Sequence, residues 1–351
     1  PVSGGCWGVI RERWAQLLFG FYPSELYFRP VLAFIGLGVA LAPVLFDGAP
    51  KKLLWFTAIF PFLCFWLIWG GSIWLPISII LGFVLAVVAY SFFAKATSTL
   101  ICVSAAILTP IIWWLFVASP FASTLASILP IGIQSVDSDI IGGFMLAVLI
   151  GLTGIILSLP IGIVLALGRQ SDLPILKGVC VAFIEFIRGV PLITLLFVAS
   201  TLLNYFMPPG TSFDLILRVM IMVTIFASAY MAEVIRGGLA ALPKGQYEAA
   251  DSLGLDFWQA QRLIIMPQAL KISIPGIVNI AVGLFKDTVL VSVISMFDIV
   301  GMIRGPILAS TDWNGVYWEL LGFAALVFFV VCYGISQYSQ WLERRLATDH
   351  R

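Results

Sequence analysis

Apolar residues run along this chain in blocks about as long as the hydrocarbon core of a bilayer is thick, and short polar segments separate them. These blocks predict an all-α integral membrane protein with about nine transmembrane helices. The blocks lie at about 30–46, 53–70, 74–94, 98–119, 142–167, 179–204, 214–235, 274–297 and 317–341. Prolines occur within several blocks, but membrane helices tolerate proline, so they do not contradict the prediction.

The basic residues between the blocks favour one orientation, because Lys and Arg stay on the cytoplasmic side. With the tail WLERRLATDHR inside, the cytoplasmic regions hold twelve of the nineteen basic residues. The segments at 120–141, 205–213 and 298–316 then lie outside. Arg11, Arg13 and Arg29 also fall outside, against the rule. A further helix before Pro1 would remove this conflict, so we expect ten spans with both termini cytoplasmic.

Composition excludes several kinds of protein. The mean hydropathy is +1.07 with 11% charged residues, far from a soluble domain. A net charge of +1 without a basic stripe argues against nucleic-acid binding. The five cysteines are isolated and the single histidine, His350, lies in the tail, so a disulfide framework or metal site is not expected. That single histidine also excludes a serine, histidine and acid triad, although a Ser/Lys pair stays open.

Charged residues divide the apolar blocks into two groups. Before residue 120 the blocks carry almost no charge, whereas later blocks contain six charged residues within or at their ends: Glu185, Arg188, Arg218, Glu233, Lys286 and Asp287. Charges near hydrocarbon usually face a bundle interior or an aqueous path. We therefore expect an N-terminal segment at 1–29, a scaffold of about four helices at 30–120, a linker at 121–141 and a working module at 142–345.

The segment at 243–271 breaks the apolar pattern. Pro243 and Gly254 predict the start and end of one short helix, and Asp256 with Gln259 forms a capping-box pattern that predicts a second helix ending near Pro267. Ala249, Ala250 and Gly254 would leave a face with little side-chain bulk, and Tyr247, Glu248 and Asp251 would form its polar rim. This predicts a docking surface for another protein. The alternative is an amphipathic helix at the lipid interface.

Two acid and base pairs share a spacing. Glu185 and Arg188, like Glu233 and Arg236, are three residues apart, so each pair can meet on one helix face. They predict either structural ion pairs or a gate at a cytoplasmic mouth.

Lys286 and Asp287 are adjacent, so they point about 100° apart on a helix and cannot simply neutralise each other. At least one needs a partner elsewhere or a wet cavity. Ser228, Tyr230 and Thr288 offer hydrogen bonds to an amino-acid zwitterion, or between helices.

The stretch GQYEAADSLGLDFWQAQRLIIMPQALKISIPGIVN resembles the EAA loop of ATP-binding-cassette (ABC) importer permeases, with E-A-A, three residues, G, and later I-x-x-P-Q-A. The similarity extends through FIEFIRGVPLI, FASAYMAEVIRGGLAALPKG and LFKDTVLVSVI. Together with CWGVIRERW and QYSQWLERR, these blocks resemble permeases of polar and general L-amino acid transporters, which carry glutamate, glutamine, aspartate and asparagine.

The resemblance implies a type I five-helix permease core with its EAA loop at 240–272, in a bacterial inner membrane. It also implies three protein partners besides membrane lipid: a second homologous permease subunit, a cytoplasmic ATPase dimer and a periplasmic amino-acid-binding protein. ATP and Mg would be bound by the ATPase, because this chain has no GxxxxGK[ST] loop. The chain itself would be neither an enzyme nor a cofactor carrier. The alternatives are a secondary transporter or channel, and a membrane scaffold.

Overall fold

The computed structural model describes residues 5–94, 98–202, 205 and 214–347. Eight of the described helices are long and apolar enough to cross a membrane, and a bent pair makes a ninth if it counts as one span. The prediction of an all-α membrane fold with about nine transmembrane helices is therefore confirmed. Three parts of the predicted topology lie outside the described residues: Lys95, residues 206–213 of the outside segment predicted at 205–213, and the last four residues of the tail.

The chain forms two compact units. The core unit contains Pro1–Phe21 and Ile141–Arg351, and the inserted unit contains Tyr22–Ile140. The first of these boundaries differs from the one expected near residue 29, because the first helix packs within the core unit. Gly20 forms a β-bridge with Ile141, so the chain leaves and re-enters the core unit at neighbouring points.

Five helices and two short strands build the described part of the inserted unit. In chain order they are α2 Phe28–Leu45, α3 Leu54–Trp69, β1 Gly71–Ser72, α4 Trp74–Phe93, α5 Thr99–Ile112, α6 Ala118–Ile128 and β2 Gly132–Ile133. Helix α2 packs chiefly on α3, whereas α4 packs chiefly on α5 and α6, which gives two helical hairpins.

The fourth span is longer than predicted. Its end was expected at residue 119, but a wide turn at Trp113–Val117 carries α5 into α6, which ends at Ile128. Pro120 lies in the first turn of α6, where proline is tolerated. The predicted linker at 121–141 therefore begins as helix.

Side-chain hydrogen bonds join separate segments of the inserted unit near the pair of strands β1 and β2. The guanidinium of Arg29 is buried and its Nη1 donates to the carbonyl of Gln134 at 2.6 Å. The hydroxyl of Tyr22 donates to the carbonyl of Ile68 at 2.8 Å, and the indole of Trp69 donates to Ser138 at 2.8 Å. Arg29, one of the three arginines that violate the charge rule, thus has a structural role in a polar network.

Within the described residues, ten helices form the core unit. They are α1 Gly8–Phe19, α7 Gly143–Gln170, α8 Pro174–Gly189, α9 Leu192–Phe197, α10 Leu215–Ala240, α11 Lys244–Ser252, α12 Phe257–Ala260, α13 Met266–Asp287, α14 Ile299–Met302 and α15 Tyr317–Ala347. Helix α10 lies centrally and packs on α7, α8 and α13. A Cβ atom added to Gly162 of α7 would lie 2.8 Å from the Cβ of Met231 on α10, so this glycine allows the two backbones to approach closely.

The sixth predicted span is broken, and in this respect the prediction of a single helix at 179–204 is wrong. Helices α8 and α9 meet at an angle of 99°. Pro191 sterically disfavours the helical conformation of the residue before it, and Val190 is extended with φ −101° and ψ 130°. The break therefore follows from one proline and its neighbour.

Asp298 caps helix α14 between two candidate spans. Its carboxylate is fully buried and accepts hydrogen bonds from the backbone nitrogens of Gly301 at 2.8 Å and Val300 at 3.3 Å. Burial disfavours the charged form and raises the pKa of Asp298 to about 6, although these hydrogen bonds and Arg304 oppose the shift.

This raised pKa predicts a pH-dependent effect of Asp298→Asn. Because the folded pKa exceeds that of the unfolded chain, the native protein binds more protons between about pH 4 and 6, and its stability falls as the pH rises through that range. Asparagine keeps the cap without the charge. The variant should therefore melt higher than the parent at pH 7.5, and the difference should shrink towards pH 4.5, measured by thermal unfolding in detergent. The exposed Asp312→Asn is the control, and a pH-independent difference for Asp298→Asn would contradict the prediction.

Candidate functional site

Five charged side chains from three helices meet in one network, here called the charge cluster: Arg169 of α7, Glu185 and Arg188 of α8, and Glu233 and Arg236 of α10. Arg169 Nη1 donates to Glu233 Oε1 at 2.7 Å and to Glu185 Oε1 at 2.9 Å. Glu233 also pairs with Arg236 at 3.2 Å and with Arg188 at 3.7 Å. One carboxylate therefore holds three guanidinium groups.

The cluster corrects one predicted pair and contains the other. Glu233 and Arg236 pair as their spacing predicts. Glu185 and Arg188 do not pair with each other within the described part of the chain, because each reaches a charge on a neighbouring helix instead. Arg169 is a member that the sequence patterns did not predict, although its place in the last turn of a membrane helix, near the charged ends of other helices, is a signal for it.

Glu233 is the centre of the cluster. Its side chain is only 17% exposed, so its charge depends on the arginines around it. Tyr230, one turn earlier on α10, was predicted to offer a hydrogen bond either to substrate or to another helix. In the structure its ring lies 5.6 Å from the guanidinium carbon of Arg188, and its hydroxyl donates to the carbonyl of Arg188 at 3.4 Å. Both contacts hold the end of α8 immediately before the break at Pro191.

Two other predicted substrate contacts point into the core unit. Ser228 is fully buried and its hydroxyl donates to the carbonyl of Thr224 at 2.6 Å. Thr288 is also buried and donates to the carbonyl of Phe285 at 2.7 Å. Because each hydroxyl bonds to a carbonyl three or four residues earlier, neither faces a surface in this conformation, and their role on a substrate path stays a prediction.

Lys286 and Asp287 are exposed on the surface of the core unit. They are the last two residues of α13, within the candidate membrane span Phe257–Ile294. Neither has an ion pair among the described residues. Charges at such a position need water or another subunit. This agrees with the expectation that at least one of them does not satisfy its charge within its own helix.

The polar segment, residues 243–260, forms the predicted pair of short helices. Gly254 ends α11 with φ +71°, and Asp256 and Gln259 form the predicted capping box. The prediction that the second helix ends near Pro267 is wrong, however, because the chain stays helical through this residue. A wide turn at Gln261–Ile265 carries the chain into α13, where Pro267 lies in the first turn and its missing N–H is tolerated.

The predicted docking face is only partly exposed. Glu248, Ala249, Asp251 and Gly254 are exposed, as expected. Ala250 is buried, and Tyr247 packs against the hydrophobic core of the unit, so both belong to the attachment of α11 and not to its outer face.

Three large apolar residues complete the outer face of the polar segment: Leu253, Phe257 and Trp258. Leu253 is 72% exposed, and Phe257 and Trp258 pack edge to face with centroids 5.3 Å apart. The sequence does not single out these three residues, because apolar residues are common throughout the chain. Exposed apolar residues next to the carboxylates of Glu248 and Asp251 are typical of a protein interface.

Changing Glu233 to Gln should destabilise the protein by about 2 kcal/mol, because three arginines lose their shared carboxylate. The matched control is Glu185→Gln. The Glu185 side chain is 54% exposed and, among the described residues, forms its ion pair with Arg169, so this variant should lower the free energy of unfolding by less than about 1 kcal/mol. Unfolding in detergent measures both. Equal losses in the two variants would contradict the central role of Glu233.

Comparison with known proteins identifies the family of this chain. The profile of the binding-protein-dependent transport system inner membrane component family matches residues 158–348. The glutamate/glutamine/aspartate/asparagine transport system permease protein BztC of Rhodobacter capsulatus is 58% identical over 352 residues, which cover 100% of this chain and 81% of that protein. The inner membrane amino-acid ABC transporter permease protein YhdY of Escherichia coli is 40% identical, with 99% of this chain and 79% of that protein covered.

A solved structure agrees with these relatives. The crystal structure of an amino acid ABC transporter with histidines contains a chain that is 30% identical, with a TM-score of 0.51 over 58% of this chain and 92% of its own length. The resemblance to amino-acid ABC permeases is therefore confirmed. The chain belongs to the binding-protein-dependent transport system inner membrane component family, the multi-pass permeases that work with an ATPase and a substrate-binding protein.

Proposed function

We propose that this chain is the permease subunit of an ABC importer that moves polar L-amino acids into the cytoplasm of a bacterium, across its inner membrane. The names of its two relatives support amino acids as substrates. The observation that carries the coupling mechanism is the outer face of the polar segment, where apolar side chains and carboxylates are exposed together.

The ATPase docks on this outer face. Leu253 and Trp258 bury apolar area against the partner, and Glu248 and Asp251 fix the orientation by polar contacts. ATP and Mg are bound by the ATPase dimer, since the chain lacks a phosphate-binding loop of the GxxxxGK[ST] kind. The chain itself is a transport component without catalysis of its own.

Lys286 and Asp287 take part in the substrate path. A lysine complements the carboxylates of an acidic amino acid, and an aspartate complements its ammonium group. Both side chains are exposed on the core unit within an apolar span, so a second, homologous permease subunit would enclose them and complete the path. A periplasmic binding protein delivers the amino acid from the other side.

The charge cluster controls the cytoplasmic end of the path. It joins the ends of α7, α8 and α10 next to the break between α8 and α9. Because the helix is already interrupted there, α9 can rotate without breaking helical hydrogen bonds. Alternating access would separate its most distant pair, Arg188 and Glu233, more readily than the shorter contacts of Arg169.

Membership of the family argues against the alternative of a self-sufficient secondary transporter or channel. A membrane scaffold would leave the charge cluster and the exposed pair at Lys286 and Asp287 without a role. Co-purification with an ATPase and a second permease tests the assignment directly, and isolation of an active, unaccompanied chain would overturn it.

Leu253→Asp should lower substrate-stimulated ATP hydrolysis about tenfold in proteoliposomes, because a charge replaces an apolar contact at the centre of the interface. Leu173→Asp is the matched control, since Leu173 is 65% exposed but lies before α8, outside the polar segment. Leu253 is preferable to Gly254 for this test, because a side chain at Gly254 would be strained by its positive φ. Equal activity of the two leucine variants would contradict the proposed interface.

Lys286→Gln should lower the maximal rate of glutamate uptake at saturating binding protein by about tenfold, which corresponds to roughly 1.4 kcal/mol. The lost charge would otherwise attract a substrate carboxylate. The control is Lys177→Gln, which removes an exposed lysine from α8. Uptake of glutamate by reconstituted transporter is the measurement, and an unchanged maximal rate for Lys286→Gln would remove this lysine from the path.

A further inference from the structure

An apolar groove opens along the inserted unit between its two helical hairpins. Because α3 packs chiefly on α2, and α4 on α5 and α6, the seam between α3 and α4 is left partly open. The groove has a volume of about 420 Å³. All of its lining residues are apolar: Ala58 and Phe62 from α3, and Ile80, Phe83, Val84 and Val87 from α4.

Aromatic rings stiffen the groove. Phe62 and Phe83 meet edge to face with centroids 6.1 Å apart, and Trp114 supports Phe83 from behind at 4.8 Å. The indole nitrogen of Trp114 donates to the carbonyl of Ile79 at 3.1 Å, which fixes this support to α4. The groove is therefore a shaped surface within two candidate spans and not merely a gap between mobile side chains.

Two lysines lie at one end of the groove. Lys51 begins the 3₁₀ turn Lys51–Leu53 directly before α3, so one 3₁₀ turn and about one α-helical turn separate it from Ala58 and place it on roughly the same side of the helix. Lys51 and Lys52 are exposed and form no ion pair with the described residues. The turn before α3 contains one acid, Asp47, so it carries a net positive charge.

The start of this helix also lacks negative charge. Helix α3 has no acidic residue in its first turn and no side-chain cap, and the two lysines in the 3₁₀ turn directly before it oppose the helix dipole. A phosphate group at this position would offset both the lysine charges and the dipole. The positive-inside rule places the same lysines at the cytoplasmic surface, where anionic lipid headgroups attract them.

We propose that the groove and the two lysines form a binding site for an anionic phospholipid of the cytoplasmic leaflet. One acyl chain lies along the apolar lining, and the phosphate contacts Lys51 and Lys52. A transmembrane helix is a poorer occupant, because its apolar surface offers no negative charge to the two lysines. Acyl chains are in apolar surroundings whether bound or free, so the lysines provide the preference for an anionic headgroup.

The test uses the transporter purified with its partners and exchanged into nanodiscs of equal phosphatidylglycerol and phosphatidylcholine. Native mass spectrometry then measures which lipids stay bound. The parent should retain phosphatidylglycerol preferentially, and replacing both lysines by Gln should lower this preference by roughly fivefold for each lysine. Lys177→Gln, which removes an exposed lysine of the core unit, should retain the preference.

A second pair of variants tests the groove without changing charge. Val87→Phe would fill the groove, whereas Val88→Phe changes the neighbouring exposed valine outside its lining. Only the first should lose bound phosphatidylglycerol, and thermal unfolding should show that both variants are folded. The proposal is overturned if the parent shows no anionic preference or if the two variants retain lipid equally. Photocrosslinking from position 87 to another subunit, in place of lipid, would also overturn it.

Discussion

The close contact between α7 and α10 is the constraint on which the core unit depends. Gly162 lets the backbone of α7 approach Met231 of α10. Seven residues after this glycine, and two residues after this methionine, lie Arg169 and Glu233, which pair at 2.7 Å. A wider separation of the two helices would break that pair and leave Arg169 with Glu185 alone. Small residues within the span therefore determine an electrostatic arrangement at its end.

The sequence predicts what depends on local composition. Long apolar blocks specify the spans because hydrocarbon excludes unpaired backbone groups, and the caps at Gly254 and Asp256 depend on residues only three or four positions away. The partners of Glu185 and Arg188 were not predictable in this way. Each residue has an equally suitable charge on its own helix and on a neighbouring one, and only the packing of the helices selects between them.

Prolines show the same limit. Proline interrupts the helix at Pro191 but is accommodated within helix at Pro120 and Pro267, which follow wide helical turns. Burial of Ala250 is another case, because a small residue suits both an exposed docking face and a tight internal contact. The exposed Leu253 could be recognised only once the structure showed that neighbouring apolar residues were covered and this one was not.

The bridge between Gly20 and Ile141 has an evolutionary consequence. Because Gly20 and Ile141 of the core unit are already adjacent, the 119 residues of Tyr22–Ile140 can be acquired, exchanged or lost without moving the core residues on either side. Natural selection can then modify the inserted unit and the transport machinery at different rates. The added helices are a module whose ancestry need not be that of the permease that carries them.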